Sequence, residues 1–265
     1  MAGSRAPSTC IAASGTAVRT NVEWRYWGQH DPLWAVASFE GREKIGTKPW
    51  TPEEFLALGA ADFADVSRQW EHYGMRRGRC VEIGCGAGRM TSALARTFDT
   101  VLAVDVSEHQ VARARELLGP AARNVDFQVV DEPVIPAADA SADAVFSCHV
   151  FQHLPGKRAV ATYLREAYRV LRPGGTVCFH LPVPGAHLGS HQSPLWYWLR
   201  NLYKRAKRFF GVVNIAEYHR YDANEVLLLL TGLGYRDVEL RIFAMTSNGD
   251  YHSYFLARRP HAPRT

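Results

Sequence analysis

The sequence predicts an α/β domain built on a mostly parallel sheet with helices on both faces. Three observations predict it. Strand-like apolar runs alternate with helix-like runs through the middle of the chain, the pattern of a parallel sheet with crossover helices. The run VEIGCGAGRM, residues 81–90, sets Gly84, Gly86 and Gly88 between an apolar strand and a helix. Near the end, VELRIFAM and HSYFLARR are joined by the short SNGDY link, which reads as an antiparallel pair at the sheet edge.

The elements follow in order. Residues 51–74 read as a helix, with Thr51 as N-cap and Glu53 and Glu54 in its first turn. Then come RCVEIG as a strand, 88–97 as a helix, TVLAVD as a strand and 107–119 as a helix. NVDFQVV and DAVFSCHV are two further strands, followed by a helix over 157–171 and the strand GTVCFHL. Residues 222–234 form the last helix before the final strand pair. Residues 1–20, MAGSRAPSTCIAASGTAVRT, lack acids and a long apolar core and are expected to be a disordered tail, a cleaved transit peptide being the alternative.

Composition bounds the function. The 265 residues are 47% hydrophobic and 22% charged, which suits a globular protein with a real core. A net charge of +5 permits an acidic partner without requiring one. Cys10, Cys80, Cys85, Cys148 and Cys178 show no CxxC spacing, so a reduced, cytoplasmic chain without structural zinc is expected. No apolar run approaches the roughly 18 residues that span a bilayer.

The glycines carry the first chemical signal. A strand ending at Ile83, a tight turn and a helix from about Gly88 form a ligand site: glycine admits positive φ and lets a ligand touch backbone. N–H groups at the helix start favour a negative group, and ligands of open α/β sheets sit at the carboxyl ends of strands. The strand VLAVD ends in Asp105, whose carboxylate can accept both hydroxyls of a ribose. The nicotinamide fingerprint GxGxxG fits less well, because Arg89 stands where its third glycine should be.

With four elements in place, the sequence resembles the class I S-adenosylmethionine-dependent methyltransferases. VEIGCGAGRM is similar to their first motif, AVDVS carries the acid after the second strand, VVDE the acids after the third, and LRPGGTV the turn before the fifth strand. WGQHDPLWAVAS resembles the leader of a bacterial subset. The resemblance implies a Rossmann-like, seven-stranded, mostly parallel sheet with an antiparallel last strand. It also implies an N-terminal cap over 21–75, a cofactor-binding core over 76–183, a lid insertion over 184–216, and a return to the core over 217–265. It implies S-adenosylmethionine as cofactor and S-adenosylhomocysteine as product. Gly84, Cys85, Gly86 and Gly88 would line the methionine end. Glu82 would order the turn or reach the cofactor amine through water. Asp105 would hold the ribose with Val106 against adenine, Asp131 and Glu132 would flank the adenine amine, and His149 would face the methionine moiety or the acceptor.

A general base is sought among histidines. His149 and His219 are the candidates, His153 reads as a loop-fixing residue, and His180 ends the fifth strand facing the cleft. No histidine pair with helical spacing lies beside an acid, so no metal is expected. The aromatic segment 21–50 either stacks on ligand or simply packs. In the insertion, PLWYWLRNLYKRAKRFFG joins an apolar stripe to five basic residues without an acid. It reads as a lid with a solvated basic face, a membrane-surface helix beside a lipid-linked acceptor, or an anion groove, with 194–211 as the contact. Nucleic acid is not expected, since no RNA module or basic domain appears. The expected activity is methyl transfer to an oxygen or nitrogen of a small-molecule, sugar or lipid-linked acceptor. A nicotinamide-dependent oxidoreductase and a non-catalytic cofactor-binding protein are the alternatives.

Overall fold

Side-chain alternation along the central strands decides the layering. A computed structural model describes residues 14–183, 199, 202, 218–244 and 251–261. Strands β1 (Arg79–Ile83), β2 (Thr100–Asp105), β3 (Val125–Val129), β4 (Ala142–Ser147), β5 (Leu171–Pro182), β6 (Arg236–Ala244) and β7 (Tyr251–Arg258) form one sheet in the order β3-β2-β1-β4-β5-β7-β6. β1 pairs in parallel with β2 and β4, and β7 runs antiparallel to both β5 and β6. The antiparallel strand expected at the end of the chain therefore lies inside the sheet, and β6 forms the edge.

Every residue of β4 is buried, as a parallel strand covered on both faces must be. Successive residues sort to opposite faces. Val81, Leu102 and Val145 pack under α6 (Lys157–Val170) and α7 (Ala223–Gly232). Cys80, Val101, Ala103 and Phe146 pack under α3 (Pro52–Tyr73), α4 (Thr91–Thr97) and α5 (Glu108–Leu118). Trp70 of α3 is fully buried, lies 5.8 Å from Phe146 in a stacked arrangement, and donates from Nε1 to Thr176 Oγ1 at 2.8 Å.

Local chemistry sets the helix ends. Thr51 Oγ1 accepts from Glu54 N at 3.2 Å, Pro52 opens α3, and Gly74 closes it at φ +101°. Ser107 caps α5 and Asp222 caps α7 in the same way.

Three boundaries differ from expectation. The helix expected from residue 88 starts at Thr91, because the positive-φ glycines hold 86–90 in turns. DAVFSCHV leaves the strand after Ser147, and His149 takes a left-handed φ of 59°. The turn expected at LRPGG joins β5, with a register shift against β4 between Ala142 and Ala144.

On the N-terminal side, α1 (Ser14–His30) and α2 (Pro32–Val36) lie against α5. Helix α1 begins inside the segment expected to be a tail, so residues 14–20 are helical. The insertion over 184–216 lies outside the described residues apart from helical Leu199 and Leu202, and the SNGDY link falls outside them up to Tyr251.

The packing of Trp70 is testable. Trp70→Ala should lower the unfolding free energy by about 3–5 kcal/mol, the range for removing a large buried aromatic. Urea denaturation reads the change, and a loss under about 1 kcal/mol would contradict the packing described.

Candidate active site

The sheet order reverses between β1 and β4, and a crevice opens there at the strands' carboxyl ends. A cavity of about 1100 Å³ occupies it. That exceeds the usual upper bound for one drug-sized ligand, roughly 1,000 Å³, so the cavity has room for a cofactor and an acceptor side by side.

The glycine turn is one wall. Gly84 and Gly86 have φ of +77° and +52°. A Cβ on Gly84 would stand 2.2 Å from Val150 Cγ2, and one on Gly86 2.6 Å from Val36 Cγ2. Only bare backbone fits between these valines. The turn's N–H groups face inward: Gly84 and Cys85 donate to Val104 O, Gly88 to Cys85 O, and Gly86 to Asp105 Oδ2 at 2.8 Å. The expectation of N–H groups aimed at an anion is therefore not met at these four positions, and a ligand meets the turn through its Cα and carbonyl edges. Gly88 lies off the cavity wall, 3.2 Å or less from Leu118 and Ala114 of α5 by the same Cβ measure, so its position serves packing.

Charges converge on the floor. Asp105 accepts from Gly86 N through Oδ2 and from Ser107 N through Oδ1 at 2.9 Å, while burial raises its carboxyl above the ordinary range. Glu82, on the face opposite Val81, accepts from Thr91 Oγ1 at 2.6 Å. Burial pushes its carboxyl up to about 7; Thr91 opposes the shift, Asp105 adds to it and Arg89 opposes it. Arg89, only 5% exposed, lies on the wall and ion-pairs with Asp62 of α3. The sequence flagged Arg89 only as a departure from a dinucleotide pattern, and nothing in it singled out Asp62, which reaches the site by tertiary packing.

The far end is strapped by α1. Arg25 ion-pairs with Asp131 and donates from Nε to Val106 O at 3.2 Å; Asn21 Nδ2 donates to Asp131 O at 2.9 Å. Asp131 and Val106 line the cavity, with the Asp131 carboxylate already engaged by Arg25. Glu132 is exposed and off the wall, between Asp131 and Pro133, which both line the cavity.

The histidines divide. His149 lines the cavity beside Gln152 and His153. Burial, with Arg89, His252 and His153, holds its imidazole well below the ordinary value. It is neutral at pH 7 but a weak base, which counts against the expected general-base role. His219 is off the cavity wall; its backbone N–H donates to Gln152 O at 2.8 Å and fixes that loop. His180 is buried below the wall, beside His149 and His252. Trp24 meets His153 edge to face at 5.1 Å, and Trp24 and Phe39 of the N-terminal segment both line the cavity.

A family model described as a methyltransferase domain matches residues 81–179, the span from the glycine turn to β5. A ubiquinone biosynthesis O-methyltransferase of Methylococcus capsulatus is 25% identical over 83% of this chain and 94% of its own length. The span 81–179 is a methyltransferase domain, and the proteins the chain is similar to are methyltransferases of the S-adenosylmethionine-dependent kind. A 27-O-demethylrifamycin SV methyltransferase of Amycolatopsis mediterranei is 37% identical, over 37% of this chain and 36% of its own. Among solved structures, phosphoethanolamine N-methyltransferase 2 of Haemonchus contortus, in complex with S-adenosyl-L-methionine, matches with a TM-score of 0.58. It shares 17% identity over 80% of this chain and 58% of that one. The methyltransferase uses S-adenosylmethionine, and its residues fit that group: bare backbone at Gly84 and Gly86, a buried acid at Asp105, and a cavity large enough for a second ligand. Among the described residues, no helix is long and apolar enough to cross a membrane.

Glu82 gives a pH signature. Its folded value of about 7 lies above the ordinary 4.5, so the folded state holds a proton that the unfolded state releases between them. The group's stabilising contribution is complete below about pH 4.5 and is lost as pH rises through 7. Across that window the ligand-free methyltransferase should lose about 3 kcal/mol more unfolding free energy than Glu82→Gln. Parallel pH profiles from denaturant titration would sink the assignment.

Proposed function

We propose that the methyltransferase transfers a methyl group to a hydroxyl oxygen of a small, largely apolar acceptor, with Glu82, Gly84, Cys85, Gly86, Asp105 and Val106 holding the cofactor. The observation that carries this reading is the single cavity that places the glycine turn and Asp105 on one side and the His149 loop on the other. The cofactor supplies an electrophilic methyl group. The protein's part is to hold the acceptor in line with it and to exclude water, which suits an enclosed apolar wall. Tyr163, Phe243, Val150 and Leu154 supply that wall. The ubiquinone relative is named an O-methyltransferase and the Amycolatopsis relative a 27-O-demethylrifamycin SV methyltransferase, which supports oxygen as the acceptor atom. A plant phosphoethanolamine N-methyltransferase, 27% identical over 62% of this chain, keeps nitrogen as the second reading.

The insertion over 184–216 is proposed as the lid on the acceptor side, with its basic aromatic stretch at 194–211 meeting an anionic group or a lipid surface. A reducing, cytoplasmic setting belongs to the same reading, supported by the free thiols of Cys80, Cys85, Cys148 and Cys178.

Calorimetric titration with S-adenosylhomocysteine, with NAD as comparison, tests the cofactor side; binding of NAD alone would overturn the reading. Asp105→Ala should weaken S-adenosylhomocysteine binding at least tenfold, and unchanged affinity would refute the ribose assignment. On the acceptor side, a screen with labelled methyl donor should label phenols or alcohols in preference to amines. His149→Ala should lower turnover more than it lowers cofactor affinity; loss of affinity alone would make His149 a cofactor-binding group.

A further inference from the structure

We infer that His149, His180 and His252 form a binding site for one first-row transition-metal ion, at the floor of the cavity. One ring nitrogen from each residue lies within 4.8 Å of the other two. The residues come from three elements. His149 sits in the loop after β4, His180 lies on β5, and His252 on β7, a diagonal neighbour of His180 across the antiparallel ladder. Ring centroids are 4.0 Å apart for His149 and His180, 4.8 Å for His180 and His252, and 5.9 Å for His149 and His252.

Two features point to a ligand and away from ordinary packing. His180 is 1% exposed, and its Nδ1 has no hydrogen-bond partner among the described residues, an arrangement that costs the desolvation of that atom. His149 holds a left-handed φ of 59°, a strained conformation for a non-glycine residue, with its ring beside that of His180.

The donor set selects the ion. Three imidazoles without a carboxylate or thiolate suit zinc, iron, nickel or copper and do not suit magnesium or calcium. His180 Nε2 and His252 Nδ1 share a hydrogen bond at 2.8 Å, which leaves Nδ1 as the His180 nitrogen open to an ion. His149 lines the cavity while His180 and His252 do not, so the fourth position of the ion would open toward the acceptor. There an ion would lower the pKa of an acceptor hydroxyl. This role rests on the proposed oxygen acceptor; the binding of the ion does not. The helical-spacing rule that led to no metal being expected does not see a set drawn from a loop and two strands.

The competing account is a hydrogen-bonded chain from His180 through His252 to Tyr218, whose hydroxyl is 3.3 Å from His252 Nε2. It leaves the left-handed His149 and the His180 Nδ1 unexplained.

The test uses the full chain stripped with a chelator and titrated with cobalt(II), followed by its visible absorption, and with zinc by competition. Uptake of one cobalt per chain is expected, weakened at least 100-fold in His180→Gln and in His252→Ala. S-adenosylhomocysteine binding within threefold of the parent shows that each variant is folded. No stoichiometric uptake by the parent, or uptake unchanged in both variants, overturns the site; the parent result decides by itself if a variant fails to fold. Cobalt uptake without S-adenosylhomocysteine binding would keep the metal site and sink the functional reading. Cofactor binding without cobalt uptake would do the reverse.

Discussion

The reversal of strand order between β1 and β4 is the constraint on which the site depends. Both strands run in the same direction and lie side by side, but their crossovers leave on opposite faces: α4 above one, α6 below the other. Right-handed crossovers permit no other arrangement. The loops after the two strands are pulled apart, and the space between them cannot be filled by either connection. The glycine turn and the His149 loop are the two lips of that gap.

Electrostatics follows from this placement. The cavity floor buries two carboxyls, Glu82 and Asp105, while the nearby guanidinium of Arg89 is committed to Asp62. Asp105 is stabilised by backbone N–H groups, which favour its charged form without neutralising it. Burial pushes the Glu82 carboxyl up to about 7, and the hydrogen bond from Thr91, its one side-chain partner among the described residues, opposes that shift without cancelling it. Such a floor is short of positive charge, and a sulfonium or ammonium ligand would supply it.

What the sequence made legible was what is local. Strand periodicity, the glycine run and the N-cap Thr51 depend on neighbours a few residues away, and they located the sheet and the turn. Asp105 was legible because a strand end fixes where its side chain goes. The Arg89–Asp62 pair, the Arg25–Asp131 strap and the cluster of His149, His180 and His252 join residues far apart in the chain. No spacing rule encodes them. Motif position named Gly88 and Glu132 for ligand contact; Gly88 packs on α5 and Glu132 is exposed, features of packing that motif position does not encode.

The position of β7 has a consequence for how the protein is made. β6 is synthesised first, yet its partner in the sheet is β7, which inserts between it and β5. While a ribosome still holds β7, β5 presents an open edge and β6 has nothing to pair with. Until β7 is in place the topology admits a sheet of at most five strands, because β6 joins the others only through β7. Its placement brings Phe255 onto Phe179 and His252 onto His180. A nascent chain can assemble its glycine turn early, but the opposite side of the cavity takes shape only when the last strand of the sheet is released.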